Sequence, residues 1–214
     1  MPRGGHPPLS ELALLGEGAL LALSGIGRGA ATAAAQALID AGVAALMTFG
    51  MAGGLDPKLK PGSVVIPCEL LSSGGGRYAA ARAWREQVTA AISPLCAVTE
   101  GNLLTSTFAI ETPADKAAAF RDTGAAAVDM ESAAVAEIAA KHNLPFIAVR
   151  VIVDTAADRL PRAVVAASRA GKVQFARLIG GLILAPREIV ALVRLAQRYR
   201  IAMRSLHAIG AHLA

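Results

Sequence analysis

The stretch from Pro145 to Asp154, PFIAVRVIVD, constrains this chain more than any other part of it. Apart from Arg150 it is an unbroken apolar run, and it ends on a carboxylate. A strand with one wet face alternates apolar and polar residues; a run without alternation is expected where both faces are covered. Pro145 to Val153 therefore reads as a central strand of an α/β sheet. Ligands of open α/β sheets bind at the carboxyl ends of strands, which puts Asp154 where a site is expected. A carboxylate that follows mostly apolar residues is partly desolvated, which raises its pKa and suits it to act as a general acid. The alternative is a loop carboxylate that caps the next segment. Arg150, inside the run, needs a partner, because an unpaired buried guanidinium is costly. A structural ion pair or a catalytic carboxylate would satisfy it.

From Ala19 onward, short apolar runs alternate with alanine-rich helical segments, the pattern of an α/β domain. Ala19 to Ser24 reads as a strand, Gly25 to Gly27 as a turn, and Ala30 to Ala41 as a helix ended by Gly42. Val43 to Phe49 reads as a second strand that runs into a loop, Gly50 to Gly54. Val64 to Leu71 and Cys96 to Thr105 read as further strands, the latter interrupted at Gly101; Ala80 to Ile92 reads as a helix and Ser72 to Arg77 as a loop. Thr112-Pro113-Ala114-Asp115 has the makings of a helix start: a hydroxyl N-cap, proline in the first turn and a carboxylate at the third position. Ala125 to Val128 reads as a strand and Met130 to Lys141 as a helix capped by Asp129. Beyond Pro161, Ala163 to Leu184 and Arg187 to Leu213 read as helices divided by Pro186.

Charge divides the chain at the same place. Residues 159–214 carry ten Lys/Arg and one acid, whereas residues 1–158 carry eleven and fifteen. We read 1–158 as the α/β body and 159–214 as its basic helical extension. In the last helix Ile189, Leu192, Val193, Leu195, Ala196, Tyr199, Met203, Leu206 and Ile209 form an apolar stripe, with Arg194, Arg198, Arg200 and Arg204 largely off it. A basic amphipathic helix of this kind suits an anionic membrane surface; with no aromatic interleaving, nucleic acid is not expected as a partner. Mean hydropathy is +0.50, yet no run reaches the roughly 18 apolar residues of a membrane span. The start of the chain lacks the layout of a signal peptide, and we read the protein as cytoplasmic. Cys68 and Cys96 stand far apart, outside any CxxC setting, and read as buried thiols; the four histidines have no metal-ligand spacing. No metal is expected.

Gly25-Ile26-Gly27-Arg28-Gly29-Ala30 matches the GxGxxA form of the dinucleotide fingerprint. That fingerprint also needs an acid at the end of the following strand, where this chain has Met47-Thr48-Phe49-Gly50. The motif is read as a tight turn, with no cofactor. Acids at a helix N-terminus are stabilised by the helix dipole, which accounts for Asp129; Glu131 could equally grip a ligand's paired hydroxyls.

Four blocks together resemble the nucleoside phosphorylase and nucleosidase superfamily, which includes methylthioadenosine/S-adenosylhomocysteine nucleosidase. They are Ser24 to Gly27; Phe49 to Leu55 with Asp56-Pro57 and Lys60-Pro61-Gly62; Val128-Asp129-Met130-Glu131-Ser132-Ala133-Ala134; and Pro145 to Asp154. The resemblance is nearest to the hopanoid-associated phosphorylase-like branch, whose members release adenine from adenosylhopane. It implies a three-layer mixed sheet flanked by helices, a homo-oligomer, and hydrolysis of the N-glycosidic bond of an adenosine derivative, in this branch adenosylhopane to ribosylhopane and adenine. It also implies roles. Asp154 would protonate purine N7, and Arg150 would steady a neighbouring carboxylate. Met130 and Glu131 would hold the ribose, with Val128 beside them; Ala52 and Gly53 would line sugar and base, and backbone near Ile110 would read the purine edge.

The chain departs from the family pattern at three places. Phosphorylases of the superfamily bind phosphate through an arginine and a serine where this chain has Thr48 and Met51, so water rather than phosphate is the expected nucleophile. Nucleosidases carry a water-activating glutamate after a first strand upstream of the SGIG block; here Glu11 and Glu17 are poor substitutes, which implies either a shortened start or impaired catalysis. The aromatic residue that stacks on the base in relatives is Ala109, next to Phe108, and Val153 precedes the acid where serine is usual. The alternatives are a methylthioadenosine/S-adenosylhomocysteine-type nucleosidase, a purine nucleoside phosphorylase, and a nucleoside-binding protein with weak catalysis.

Overall fold

The computed structural model describes residues 12–15, 18–161, 165 and 186–213, with the backbone alone for 186–192. Eight strands form one mixed sheet: β3 (Leu46–Gly54), β4 (Val64–Val65), β5 (Glu69–Ser72), β6 (Arg77–Ala79), β7 (Val98–Thr99), β8 (Asn102–Thr105), β9 (Ala125–Asp129) and β10 (Phe146–Asp154), in the order β6-β5-β8-β9-β3-β10-β4-β7. The expected central strand is central. β10 runs parallel to β3 on one side and antiparallel to β4 on the other, and Phe146 to Ile152 are all buried. A separate two-stranded ribbon, β1 (Leu12–Leu15) with β2 (Ala19–Ala22), precedes the sheet.

Two-residue alternation along β10 divides the core into layers. Phe146, Ala148 and Ile152 pack with Ala31 and Ala35 of α1 (Arg28–Asp40) and with Val135, Ala136 and Ala139 of α4 (Ser132–Lys141). Ile147, Val149 and Val151 pack on the opposite face with Val88 and Ile92 of α2 (Arg82–Ile92) and with Ala202 and Ile209 of α5 (Pro186–Leu213). Helices on both faces of a mixed sheet give the three layers that the sequence implied. Small alanines on α1 and α4 let those helices lie close to each other and to the strands.

Several boundaries differ from the sequence reading. β3 continues through the glycines to Gly54, because its far half stays paired with β10 and β9. The run Val64 to Leu71 is two strands, β4 and β5, separated around Pro67, which has no N–H for a ladder. Ser72 to Arg77 is the turn of the β5–β6 hairpin. Leu12–Leu15, ahead of the first strand expected from the sequence, pairs with β2. α4 begins at Ser132 rather than Met130. Cys68 is exposed rather than buried.

The start of α3 (Pro113–Thr123) is as expected. The Thr112 hydroxyl accepts from the Asp115 N–H at 3.1 Å, and Gly124, at φ 65°, ends the helix in a left-handed conformation. Such caps contribute about 1 kcal/mol each.

The predicted helix Ala163 to Leu184 lies outside the described residues. α5 docks on the sheet, but not along the whole predicted stripe. Its inward line runs through the buried Ala202 and Ile209 and the partly buried Leu206 and Leu213, while Val193, Tyr199 and Ile201 stay exposed. The side chains of Ile189 and Leu192 are not among those described. Gly62, at φ +87°, lets the turn before β4 pass under α5; a Cβ there would come within 3.0 Å of Ile201 Cγ2. No helix among the described residues is long and apolar enough to cross a membrane.

The burial difference along α5 gives a stability test. Ile209→Ala should cost about 2–5 kcal/mol, the range for truncating a buried aliphatic side chain. Val193→Ala, at a half-exposed position, should stay within about 0.5 kcal/mol. Urea denaturation of both variants reads the contrast, and equal small losses would mean that α5 is not docked as described.

Candidate active site

β3 and β10 are parallel and end together, and the carboxyl end of β9 meets β3 from the other side. Gly53 pairs with Val128 and with Asp154. Three strand ends thus bring Ala52, Gly53, Val128 and Asp154 to one place. Gly53 is required there for space: a Cβ would lie 3.1 Å from Asp154 Oδ2, 3.4 Å from Oδ1 and 3.5 Å from Val128 Cγ1. Ala52 and Val128 are buried, and Ile110, on the loop between β8 and α3, packs against the cluster of Leu55, Leu71, Leu104 and Val128.

Asp154 is buried, and its partner is Lys116 of α3, which the sequence reading did not single out. The Lys116 ammonium, 1% exposed, donates to Asp154 Oδ2 and, at 2.8 Å, to the Thr155 carbonyl. Burial pushes the Asp154 carboxyl above the usual carboxylate range; Lys116 opposes that rise and the nearby Asp158 charge adds to it. The net direction is upward, so this acid holds its proton to higher pH than an exposed aspartate. That is the condition for general acid catalysis near neutrality.

Arg150 takes the other route left open by the sequence, an ion pair, and its carboxylate is Asp129 rather than Asp154. Its Nε donates to Asp129 Oδ2 at 2.9 Å and a terminal nitrogen donates to Ser132 Oγ at 2.6 Å. Asp129 also accepts from Thr105 Oγ1 at 2.7 Å and from the Ser132 N–H at 3.1 Å, so it satisfies the first N–H of α4 while it neutralises Arg150, although the N-cap position itself is Glu131. The guanidinium lies against β3 at Gly50, where a Cβ would come within 2.8 Å of Nη1. Breaking a buried, hydrogen-bonded pair of this kind costs about 3–5 kcal/mol. Arg150 and Asp129 fix the turn that carries Met130 and Glu131.

Glu131 joins two of the sequence blocks. Its Oε1 accepts from the Gly27 N–H at 2.8 Å, and its Oε2 accepts from the Met130 N–H at 3.2 Å. Gly27, at φ +96°, turns its amide to the carboxylate, which is the use made of the SGIG turn. Burial pushes the Glu131 carboxyl up and the Asp129 charge adds to this, while the Gly27 amide and Arg150 oppose it. Met130 is half-buried beside it. Thr48 Oγ1 hydrogen-bonds Ser132 Oγ at 3.1 Å, and Met51 packs into the apolar layer under α2 and α5. Glu11 and Glu17 lie outside the described residues. A cavity of about 320 Å³ between Tyr78, Ala136, Ala140 and Phe146 lies at the start of β10, away from these groups.

Comparison with known proteins places the arrangement. Solved structures of similar fold include a protein of Weissella paramesenteroides described as a methylthioadenosine nucleosidase: 24% identity, TM-score 0.61, covering 71% of this chain and 76% of that one. The Campylobacter jejuni 5′-methylthioadenosine/S-adenosylhomocysteine nucleosidase is 21% identical with TM-score 0.61, covering 77% and 78%. The Helicobacter pylori futalosine hydrolase is 18% identical with TM-score 0.62, covering 80% and 89%. No curated protein matches the chain. At these identities the likeness carries the fold. The family model of the phosphorylase superfamily matches residues 10–184, which spans the blocks from SGIG to Asp154, and the chain belongs to that superfamily.

Proposed function

We propose that this chain is a purine nucleosidase that hydrolyses the N-glycosidic bond of an adenosine derivative, with Asp154 as the general acid. The observation that carries the reading is Asp154 itself: a buried carboxyl with a raised proton affinity, at the meeting of three strand ends, facing a glycine that leaves room beside it. The structures it resembles are nucleosidases and a futalosine hydrolase. In the reaction Asp154 gives its proton to purine N7. The C1′–N9 bond then breaks with its electron pair going to the base, which leaves as a neutral purine. The ribosyl group gains oxocarbenium character, and water adds to C1′ with loss of a proton. Met130 and Glu131 hold the ribose, the Glu131 carboxylate accepting from the 2′- and 3′-hydroxyls in place of the Gly27 amide. Ala52, Gly53 and Val128 line the sugar and base, and backbone at Ile110 reads the purine edge.

Water rather than phosphate is the nucleophile in this reading. The Thr48 hydroxyl is held by Ser132 and Met51 lies in the apolar layer, so neither position offers the cation and free hydroxyl that the superfamily's phosphorylases use. The resemblance to the hopanoid-associated branch makes adenosylhopane the substrate we propose, cleaved to ribosylhopane and adenine by a homo-oligomer at an anionic membrane surface. The basic, partly exposed α5 and the ten cations after Asp158 support that placement; juxtamembrane cations are worth about 1 kcal/mol each.

Adenine release from adenosylhopane and from 5′-methylthioadenosine, with and without saturating phosphate, tests the reading. Free ribosyl product is expected in both conditions, with the lipid-linked substrate preferred. Asp154→Asn keeps the shape of the side chain but has no proton to give, and should lose roughly a hundred- to ten-thousand-fold in kcat. Phosphate-dependent formation of a ribose 1-phosphate, or equal rates for Asp154→Asn, would overturn it.

A further inference from the structure

The predicted basic face of α5 contains one arginine that is not on the outside. Arg198 lies four residues before Ala202 on the buried line of the helix, and its guanidinium reaches Asp158 in the loop that follows Asp154. Asp158 Oδ2 is shared. Besides Arg198 it accepts from the Thr155 N–H at 2.8 Å and from Thr155 Oγ1 at 2.7 Å. The Thr155 carbonyl accepts from Lys116 Nζ at 2.8 Å, and Lys116 donates to Asp154. An unbroken chain of charge-assisted hydrogen bonds thus runs from the C-terminal helix to the acid: Arg198, Asp158, Thr155, Lys116, Asp154. The loop is also tied to the segment that carries Ile110, through the Leu160 N–H on the Glu111 carbonyl at 2.9 Å and the Arg159–Glu111 contact at 3.9 Å.

We propose that Arg198 is a positioning residue for Asp154, so that bond cleavage depends on the docking of the C-terminal helix. The inference rests on the reading of Asp154 as the general acid. Its geometric part is that Lys116 has two acceptors, and the place of one, the Thr155 carbonyl, is fixed by Asp158. Without Arg198 the Thr155–Asp158 turn loses its anchor to α5, and Lys116 and Asp154 lose a fixed reference. Its electrostatic part is that Asp158 is the anion nearest the acid along this chain. Burial alone would raise the Asp158 carboxyl, but Arg198 and the two Thr155 donors overcome it and keep it below the usual range, hence charged. That charge works to raise Asp154, and Lys116 works against it. Among the described residues, the ion pairs of this arrangement bring in Lys116 from α3, Asp158 and Arg159 from the loop, Glu111 from the neighbouring loop and Arg198 from α5.

The two ends of the Arg198–Asp158 pair therefore act on Asp154 with opposite signs. Arg198→Met leaves the Asp158 anion without its cation, which holds the proton on Asp154 more strongly: the alkaline limb of the kcat–pH profile moves up. Asp158→Asn removes the anion, and the limb moves down. Both loosen the turn, and kcat at the optimum should fall roughly ten- to a hundred-fold with KM changed less than about threefold, the expected size for a displaced catalytic group. Arg198→Lys, which keeps the charge, should recover most of the limb position. A merely structural contact would give the same direction of change for both ends.

The experiment measures kcat–pH profiles on 5′-methylthioadenosine and adenosylhopane for the intact chain and these variants. Alongside, it follows the Asp154 carboxyl by ¹³C NMR titration, which needs no turnover. Opposite shifts for Arg198→Met and Asp158→Asn, with recovery in Arg198→Lys, are expected in both readouts. Unchanged kcat, limb and titration midpoint in Arg198→Met, with Asp154→Asn inactive, would overturn the role of Arg198 and leave the acid in place. Full activity in Asp154→Asn would instead remove the acid, whatever Arg198 does.

Discussion

The contact between Lys116 and Asp154 is the interaction on which the candidate site depends. Two opposing effects meet in it. Taking a carboxylate out of water at the end of β10 favours its neutral form, and an ammonium placed against it favours the charged form. In this structure burial prevails, and the acid stays above its ordinary range. Lys116 can be buried at 1% exposure because its ammonium is paired, with Asp154 on one side and the Thr155 carbonyl on the other. Each member is the reason the other is tolerated in the interior.

The fold delivers the two groups from separate directions. Asp154 arrives on the strand with the most protected position in the sheet, while Lys116 arrives on α3, whose start is fixed by the Thr112 cap and whose end is fixed at Gly124. The second buried pair, Arg150 with Asp129, does a different task. It joins β10 to the end of β9 and holds the turn from which Glu131 reaches the Gly27 amide. Two pairs on the same strand thus have separate partners: one sets Lys116 against Asp154, the other holds the turn that carries Glu131.

Much of this was legible in the sequence, for identifiable reasons. The unalternating run before Asp154 read as a strand covered on both faces, and Thr-Pro-Ala-Asp read as a helix start; both are so in the structure. The resemblance of the family blocks implied one chemistry for Glu131 and Asp154. Lys116 was not legible. It is the fourth residue of a short alanine-rich helix, where a lysine normally faces solvent, and its partner is 38 residues away. The inward reach of Arg198 was missed for a related reason: the hydrophobic stripe of α5 was drawn through Val193 and Tyr199, which are exposed, as well as through Ile209, which is buried, and it left out the buried Ala202. Periodicity gives a helix an apolar side but leaves its rotation to the partner surface. The glycines of β3 failed in the opposite sense, since Gly50 and Gly53 read as loop while their function is to admit the Arg150 and Asp154 side chains beside a continuous strand.

The central claim is that Asp154 owes its proton affinity to burial restrained by Lys116. Titration of the Asp154 carboxyl by ¹³C NMR in the wild type and in Lys116→Met tests it most directly. Removing the cation leaves desolvation unopposed, so the midpoint should move up in the variant, while the fold, followed by amide chemical shifts away from α3, stays the same. A midpoint that is unchanged, or that moves down, in a folded Lys116→Met protein would contradict the account.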